Sequence, residues 1–437
     1  MKTFFMLCLY ILILIIPCFS QEKLSLTLEK AIEIALEQNE KIKLAQDDVR
    51  FSEAQIDEAK STLFPKIDGF ADYTRNFKNP VFFSNIMPEP IEIGNDNSIV
   101  LGLSLQQPVW LGGKLWAANE IADLLLQSSK ENLQFQQDNI VLDVTKTFYT
   151  VLLTQEVVRV TEETYASVNS TYENISQLKL QGMVSEFDSL RAKVTVQNVE
   201  PAVINTKNQL KIVKNVLKML LNIDINAEIE IVGTLKYVPL DSLINYQRMA
   251  LEYSPQLESL NLQKGIAENV KTIESSNYWP SVFANGQINN ISSSNDLTIS
   301  ANENVTTISA GLTVALPIFN GFGTAARVEQ AEINISKISR GITLLTQKIQ
   351  FDVESAFLNM KEAEKRIIAQ KDAVAAAQKS LNIAKVRYNN GLSTLVELND
   401  TELALVNSKL EELKALYDYL AAKADFDKLI GTINQGY

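Results

Sequence analysis

The sequence predicts an α+β membrane protein in which one plan is written twice: a helical pair, a strand hairpin, a very long helix and a returning helix. Three observations carry that prediction. The chain repeats itself at a near-constant offset. Its longest segments keep an apolar seam at coiled-coil spacing. Four alternating segments of about ten residues sit between prolines and aromatics, the pattern of membrane strands.

The repeat is ungapped over long stretches. Ala35-Leu36-Glu37-Gln38-Asn39-Glu40 lies over Ala250-Leu251-Glu252-Tyr253-Ser254-Pro255 at an offset of 215, which still holds where Leu63-Phe64-Pro65 meets Tyr278-Trp279-Pro280. Leu103–Trp110 lies over Leu312–Phe319 at an offset of 209, which also relates Gly182 to Gly391, so the run from proline to glycine is 74 residues in both halves. The expected divisions are a leader over 1–20, a first repeat over 21–221, a connector over 222–239 and a second repeat over 240–437.

At the start, Lys2 precedes the apolar run Phe4–Ile16 and then Pro17-Cys18-Phe19-Ser20. That order is a secretory signal peptide, and the run falls short of the ~20 residues a spanning helix needs. The competing reading is lipidation at Cys18, which Pro17 directly before it fits badly. Both cysteines, Cys8 and Cys18, lie in this leader and histidine is absent. Zinc sites built on cysteine and histidine, histidine triads and disulfide frameworks are thereby excluded from the expected mature chain. With 52 acidic against 40 basic residues, the chain is not expected to bind nucleic acid.

Helices are expected over 27–38 and 40–62, followed by strands at about 67–77 and 98–108. The second half repeats this with strands at about 281–290 and 306–317. In them Ile99, Leu101, Leu103 and Leu105 interleave with Val100, Gly102, Ser104 and Gln106, and Ile308, Ala310, Leu312 and Val314 interleave with Ser309, Gly311 and Thr313. From Val328 through Ala331, Ile335, Ile338, Ile342, Leu345 and Ile349 the apolar residues step by threes and fours. After one extra four the seam resumes at Val353, Ala356, Met360, Ala363, Ile367, Gln370, Val374, Ala377, Leu381, Ala384 and Tyr388. A helix from Thr324 to Tyr388 would be ~98 Å long, beyond the core of an ordinary globular domain. Gly182 and Gly391 are expected to turn each long helix into its returning partner, and Ile229–Gly233 reads as a short strand.

All four helix–strand junctions pair proline with aromatics: Phe64-Pro65, Pro108-Val109-Trp110, Tyr278-Trp279-Pro280 and Pro317-Ile318-Phe319. Phe64, Trp110, Trp279 and Phe319 are therefore expected to form a membrane-interface girdle. Polar Asn/Ser-rich loops are expected near 78–97 and 291–304. An open sheet edge has no water to satisfy it in lipid, and four strands cannot close a useful barrel. Two chains would give eight strands, whose side chains fill the interior, whereas three give twelve and leave a lumen.

Pro108-Val109-Trp110-Leu111-Gly112-Gly113-Lys114, Pro317-Ile318-Phe319-Asn320-Gly321-Phe322-Gly323 and the segment Tyr388–Asp400, together with the duplication, resemble the TolC-like outer-membrane efflux family over nearly the whole expected mature chain. The resemblance implies a homotrimer whose twelve-stranded outer-membrane barrel continues as a long periplasmic α-helical barrel. It implies a periplasmic adaptor and an inner-membrane transporter as partners, with lipid around the strands and no cofactor, metal or catalytic residue. In such a family Glu397 and Asp400, one helical turn apart, would constrict a cation-selective, pH-sensitive entrance. Tyr388 and Asp188 match positions that tie inner to outer helices in a closed state. The family's prototype has an arginine where this chain has Ser393, and Arg191 is the candidate substitute. Gly182, Met183, Val184, Gly391, Leu392 and Ser393 form the tips expected to meet the adaptor. The rival class is an exported coiled-coil rod with its hairpins in a soluble sheet; no clustered motif supports an enzyme.

Overall fold

Caps, prolines and glycines divide the chain into short strands and very long helices. The computed structural model describes residues 24–83, 91–238, 245–296 and 304–433. The predicted signal peptide, parts of both predicted polar loops and the end of the connector lie outside these residues. In order, the elements are β1 (Leu24–Leu26), α1 (Leu28–Gln38), α2 (Glu40–Ser61), β2 (Lys66–Arg75), β3 (Val81–Phe82), β4 (Ile91–Glu92), β5 (Asn97–Trp110), α3 (Lys114–Leu180) and α4 (Glu186–Leu220). There follow β6 (Ile229–Ile231), α5 (Tyr246–Tyr253), α6 (Pro255–Ser275), β7 (Ser281–Ser294), β8 (Asn304–Ala315), α7 (Gly323–Asn389) and α8 (Leu395–Leu429).

Local chemistry sets the boundaries. The Thr27 hydroxyl accepts from the Lys30 amide at 3.3 Å and starts α1. Pro255 opens α6, where its missing N–H costs nothing. Three strands differ from expectation. β7 runs on to Ser294, into the expected loop, and β8 lies two residues earlier, at Asn304–Ala315. β5 does not stop at Pro108 but passes through it to Trp110. The register with β7 slips between Pro108 and Trp110, and a proline is tolerated at such a bulge. The turn into α3 is made instead by Gly112 and Gly113, at φ of 61° and 91°.

Two compact units emerge, each drawn from both halves of the chain. The first takes the described residues up to Ala45, then Leu133–Ser254 and Thr346 onward. Its core joins β1 and α1 to the middle of α3, the end of α4 and β6, with Leu26, Ala31, Ile42, Val141, Val151, Leu217 and Leu221 almost wholly buried. β1 and β6 pair in parallel. Tyr419 of α8 is fully buried and donates to the Val238 carbonyl at 2.6 Å, which pins the connector. Lys146–Asp425 and Arg366–Asp418 add ion pairs at 2.5 and 2.9 Å.

The second unit takes Gln46–Asn132 and Pro255–Leu345 and contains one antiparallel sheet in the order β2-β5-β7-β8. Its register puts Ile67, Leu105, Gly286 and Ala310 in one row, Gly69, Leu103, Ile288 and Ile308 near the next, and Ala71, Leu101, Asn290 and Thr306 beyond. One face is thus mainly aliphatic. The alternate residues, including Asp68, Asp72, Ser104, Asn285, Gln287, Asn289, Ser309 and Thr313, make the other face polar. The aliphatic face is bare within the chain: Leu101, Ile308 and Leu312 are 52%, 77% and 72% exposed.

On the polar face Phe70 lies over Gly102, directly opposite it, where a Cβ would come within 2.4 Å of the Phe70 ring. Every residue of the predicted α7 seam from Val328 to Tyr388 is buried or half-buried.

Candidate channel wall and tip

The tip is built from two equivalent hairpins. At the end of α3 the Gly182 amide reaches the Lys179 carbonyl and the Met183 amide the Leu178 carbonyl, both at 2.9 Å. At the end of α7 Gly391 reaches Tyr388 at 2.9 Å and Leu392 reaches Arg387 at 2.8 Å. This pair of bonds is a Schellman turn, which needs its glycine left-handed; φ is 70° at both Gly182 and Gly391. No atom lies within 4 Å of where a Cβ would stand at either, so conformation and not space requires glycine.

The returning helices begin alike. Ser185 accepts from the Asp188 amide at 3.1 Å, and Thr394 from the Glu397 amide at 3.3 Å. Asp188 and Glu397 are therefore the third residues of capped helices, where a carboxylate also suits the helix dipole. The Ser-x-x-Asp and Thr-x-x-Glu spacing is the sequence signal of these caps.

Behind the caps, Ile175, Ala192, Leu381, Ala384, Leu395, Leu398 and Leu405 form a buried cluster flanked by Val184 and Tyr388. Burial raises the Tyr388 hydroxyl's pKa, and the nearby Asp188 carboxylate raises it further. Asp188 thus lies near Tyr388, and its carboxylate accepts a hydrogen bond from Ser185 at 2.6 Å. Glu397 and Asp400 are both exposed on α8. Arg191 is exposed, and among the described residues it pairs with none of Asp188, Glu397 or Asp400.

The tip has other ties that sequence reasoning missed. Arg387 donates to the Leu392 carbonyl at 3.1 Å, and Asn399 reaches Thr195 at 3.5 Å, joining α8 to α4. The Ser393 hydroxyl oxygen is buried without a hydrogen-bond partner. Met183 and Leu392 project, 70% and 68% exposed.

In the sheet unit the predicted girdle residues fall into separate groups. Trp110 and Trp279 meet edge to face with ring centres 6.2 Å apart. Phe319 instead meets Phe322 at 5.5 Å, and Phe64 is exposed. Among the described residues no helix is long and apolar enough to cross a membrane.

The sheet thus has one bare aliphatic face and one polar face, and among the described residues its outer strands β2 and β8 pair with no further strand. The family model described as outer membrane efflux protein matches residues 31–222 and 247–432. The chain belongs to that family and is an outer-membrane efflux channel protein. Outer membrane protein TolC of Escherichia coli is 24% identical over 396 residues, covering 87% of this chain and 77% of the relative. The cobalt-zinc-cadmium resistance protein CzcC of Cupriavidus metallidurans is 21% identical over 427 residues, covering 95% and 93%. Among solved structures, a membrane protein of Pseudomonas aeruginosa superposes with a TM-score of 0.81 at 17% identity, over 92% of both chains. The CmeC outer membrane channel of Campylobacter jejuni does so with a TM-score of 0.80 at 20% identity, over 93% of this chain and 85% of that one.

Proposed function

We propose that three copies join their sheets, β2 of one against β8 of the next, into a twelve-stranded barrel whose polar face lines a passive duct. The single observation that carries this is the four-stranded sheet with one bare aliphatic face and two edges that no strand pairs among the described residues, a form lipid tolerates only when neighbouring copies close it. The helices continue the duct through the periplasm to the tips at Gly182–Val184 and Gly391–Ser393. There a periplasmic adaptor docks and an inner-membrane transporter delivers cargo. Phe64, Trp110, Trp279 and Phe319 sit at the membrane boundary. No chemical step is catalysed.

Threefold symmetry would gather Glu397 and Asp400 of each copy into a ring that favours cations and narrows the entrance. Tyr388 and Asp188 hold α7 to α4 while it is closed, and Arg191 finds its carboxylate on a neighbouring copy. Purified protein in planar bilayers tests this. Glu397→Gln with Asp400→Asn removes charge but keeps the backbone bond to Thr394, so it should give larger, less cation-selective steps than wild type. Steps unchanged by the pair would overturn the gate, and a wild type that conducts nothing would overturn the duct.

A further inference from the structure

One row of the polar face breaks the pattern around it. Asp72 pairs with Val100, Val100 with Ile291 and Ile291 with Val305, so three aliphatic side chains stand side by side on a mainly polar surface. Val305 is 60% exposed. On one side the polar pattern returns, with Ser98 opposite Ser293. On the other, ~6.7 Å along the strands, comes the row of Phe70, Gly102, Asn289 and Thr307. There the Phe70 ring occupies the space that Gly102 leaves, and the Asn289 side-chain oxygen beside it is buried without a hydrogen-bond partner.

The aliphatic row ends in a free carboxylate. Asp72 is exposed and forms no ion pair among the described residues. The cations of these four strands are Lys66 and Arg75. Lys66 pairs with Asp68 at 3.3 Å, and Arg75, on the opposite alternation, lies 5.8 Å over the Phe77 ring. Apolar surface beside an unpaired carboxylate complements an amphipathic organic cation. The unpaired Asn289 oxygen and the face of an aromatic ring favour the same charge.

We propose that this row is a cargo site in the duct wall for an amphipathic organic cation. Its apolar part lies on Val100, Ile291 and Val305, its charge faces Asp72, and Phe70 flanks it. The site requires the polar face to line the duct, as proposed above. Twelve strands ~4.8 Å apart and tilted ~40° give a barrel ~24 Å across, of which side chains on both walls fill ~10 Å. The ~14 Å left is too wide for an apolar ring to seal, so the row holds cargo against the wall and does not gate.

The test uses the full chain in liposomes, with tetraphenylphosphonium as the probe and a thiol at Thr307 as the reporter. Thr307→Cys, one row away, should react with a trimethylammonium methanethiosulfonate, which attacks only from water. Ile308→Cys, on the aliphatic face, should not. Tetraphenylphosphonium should slow the Thr307→Cys reaction roughly tenfold, as for a site about nine-tenths occupied. Tetramethylammonium at the same concentration should give no such protection. Asp72→Asn, or Val100→Ser with Ile291→Ser and Val305→Ser, should abolish it, and reactivity without the probe reports whether each variant has folded. Labelling of Ile308→Cys with Thr307→Cys left unreacted would overturn the duct lining and this site with it. A reactive Thr307→Cys that gains no protection, equal protection by tetramethylammonium, or protection that survives both sets of substitutions would overturn the site and leave the duct standing.

Discussion

Gly391 and Gly431 offer a matched pair in which the same backbone is built into different surroundings. Their φ angles are 70° and 77°, so alanine at either pays the left-handed penalty of about 1–2 kcal/mol. At Gly391 the added Cβ meets nothing within 4 Å, and the cost stops there. At Gly431, which follows α8 with its amide on the Lys428 carbonyl and the Thr432 amide on the Asp427 carbonyl, the Cβ would stand 2.2 Å from Tyr253 Cγ. Tyr253 is anchored through its hydroxyl to Asp138 at 2.9 Å, so its ring has little freedom to withdraw. Overpacking adds about 1–3 kcal/mol, giving about 2–5 kcal/mol for Gly431→Ala. The assay is urea unfolding of the detergent-solubilised protein followed by far-ultraviolet circular dichroism, comparing midpoints at constant slope. Repeating Gly431→Ala in a Tyr253→Ala background should recover at least about 1 kcal/mol as a coupling term. Equal losses for the two glycines, or strict additivity with Tyr253→Ala, would refute the steric account.

Two further outcomes follow from side chains described above. Burial raises the Tyr419 pKa well above its usual 10.0, with Tyr237, Glu364 and Asp427 adding to the shift. The unfolded tyrosine therefore ionises first, and stability should fall as pH climbs past about 10. Tyr419→Phe should cost about 1–3 kcal/mol at neutral pH, by leaving the Val238 carbonyl unpaired, and should flatten that alkaline fall in pH-dependent melts. Trp110→Leu and Trp279→Leu should show a coupling of about 0.5–1.5 kcal/mol in a double-mutant cycle of thermal stability, from their edge-to-face contact.

What was legible in the residues is the short-range physics. The α7 seam is readable because coiled-coil spacing repeats within one helix, and each predicted seam position is shielded. Strand alternation and the glycine turns are equally local. What was hidden depends on distant partners. β1 is three residues long and has no pattern of its own; it exists because residues 229–231 lie alongside it. Nothing near Arg387 announces that it will hold the Leu392 carbonyl. The caps at Ser185 and Thr394 were readable but were overshadowed by the acidic residues three places on. Pro108 reads as a terminator in the sequence because the bulge that tolerates it depends on β7.

The central ladder of the sheet joins residues made far apart in time: Leu103 pairs with Ile288, 185 positions later. At ordinary rates of translation that interval is on the order of 10–40 s. During secretion the first hairpin therefore waits with an apolar face and an unsatisfied edge, and the nascent chain must be kept from sticking to its neighbours until β7 arrives.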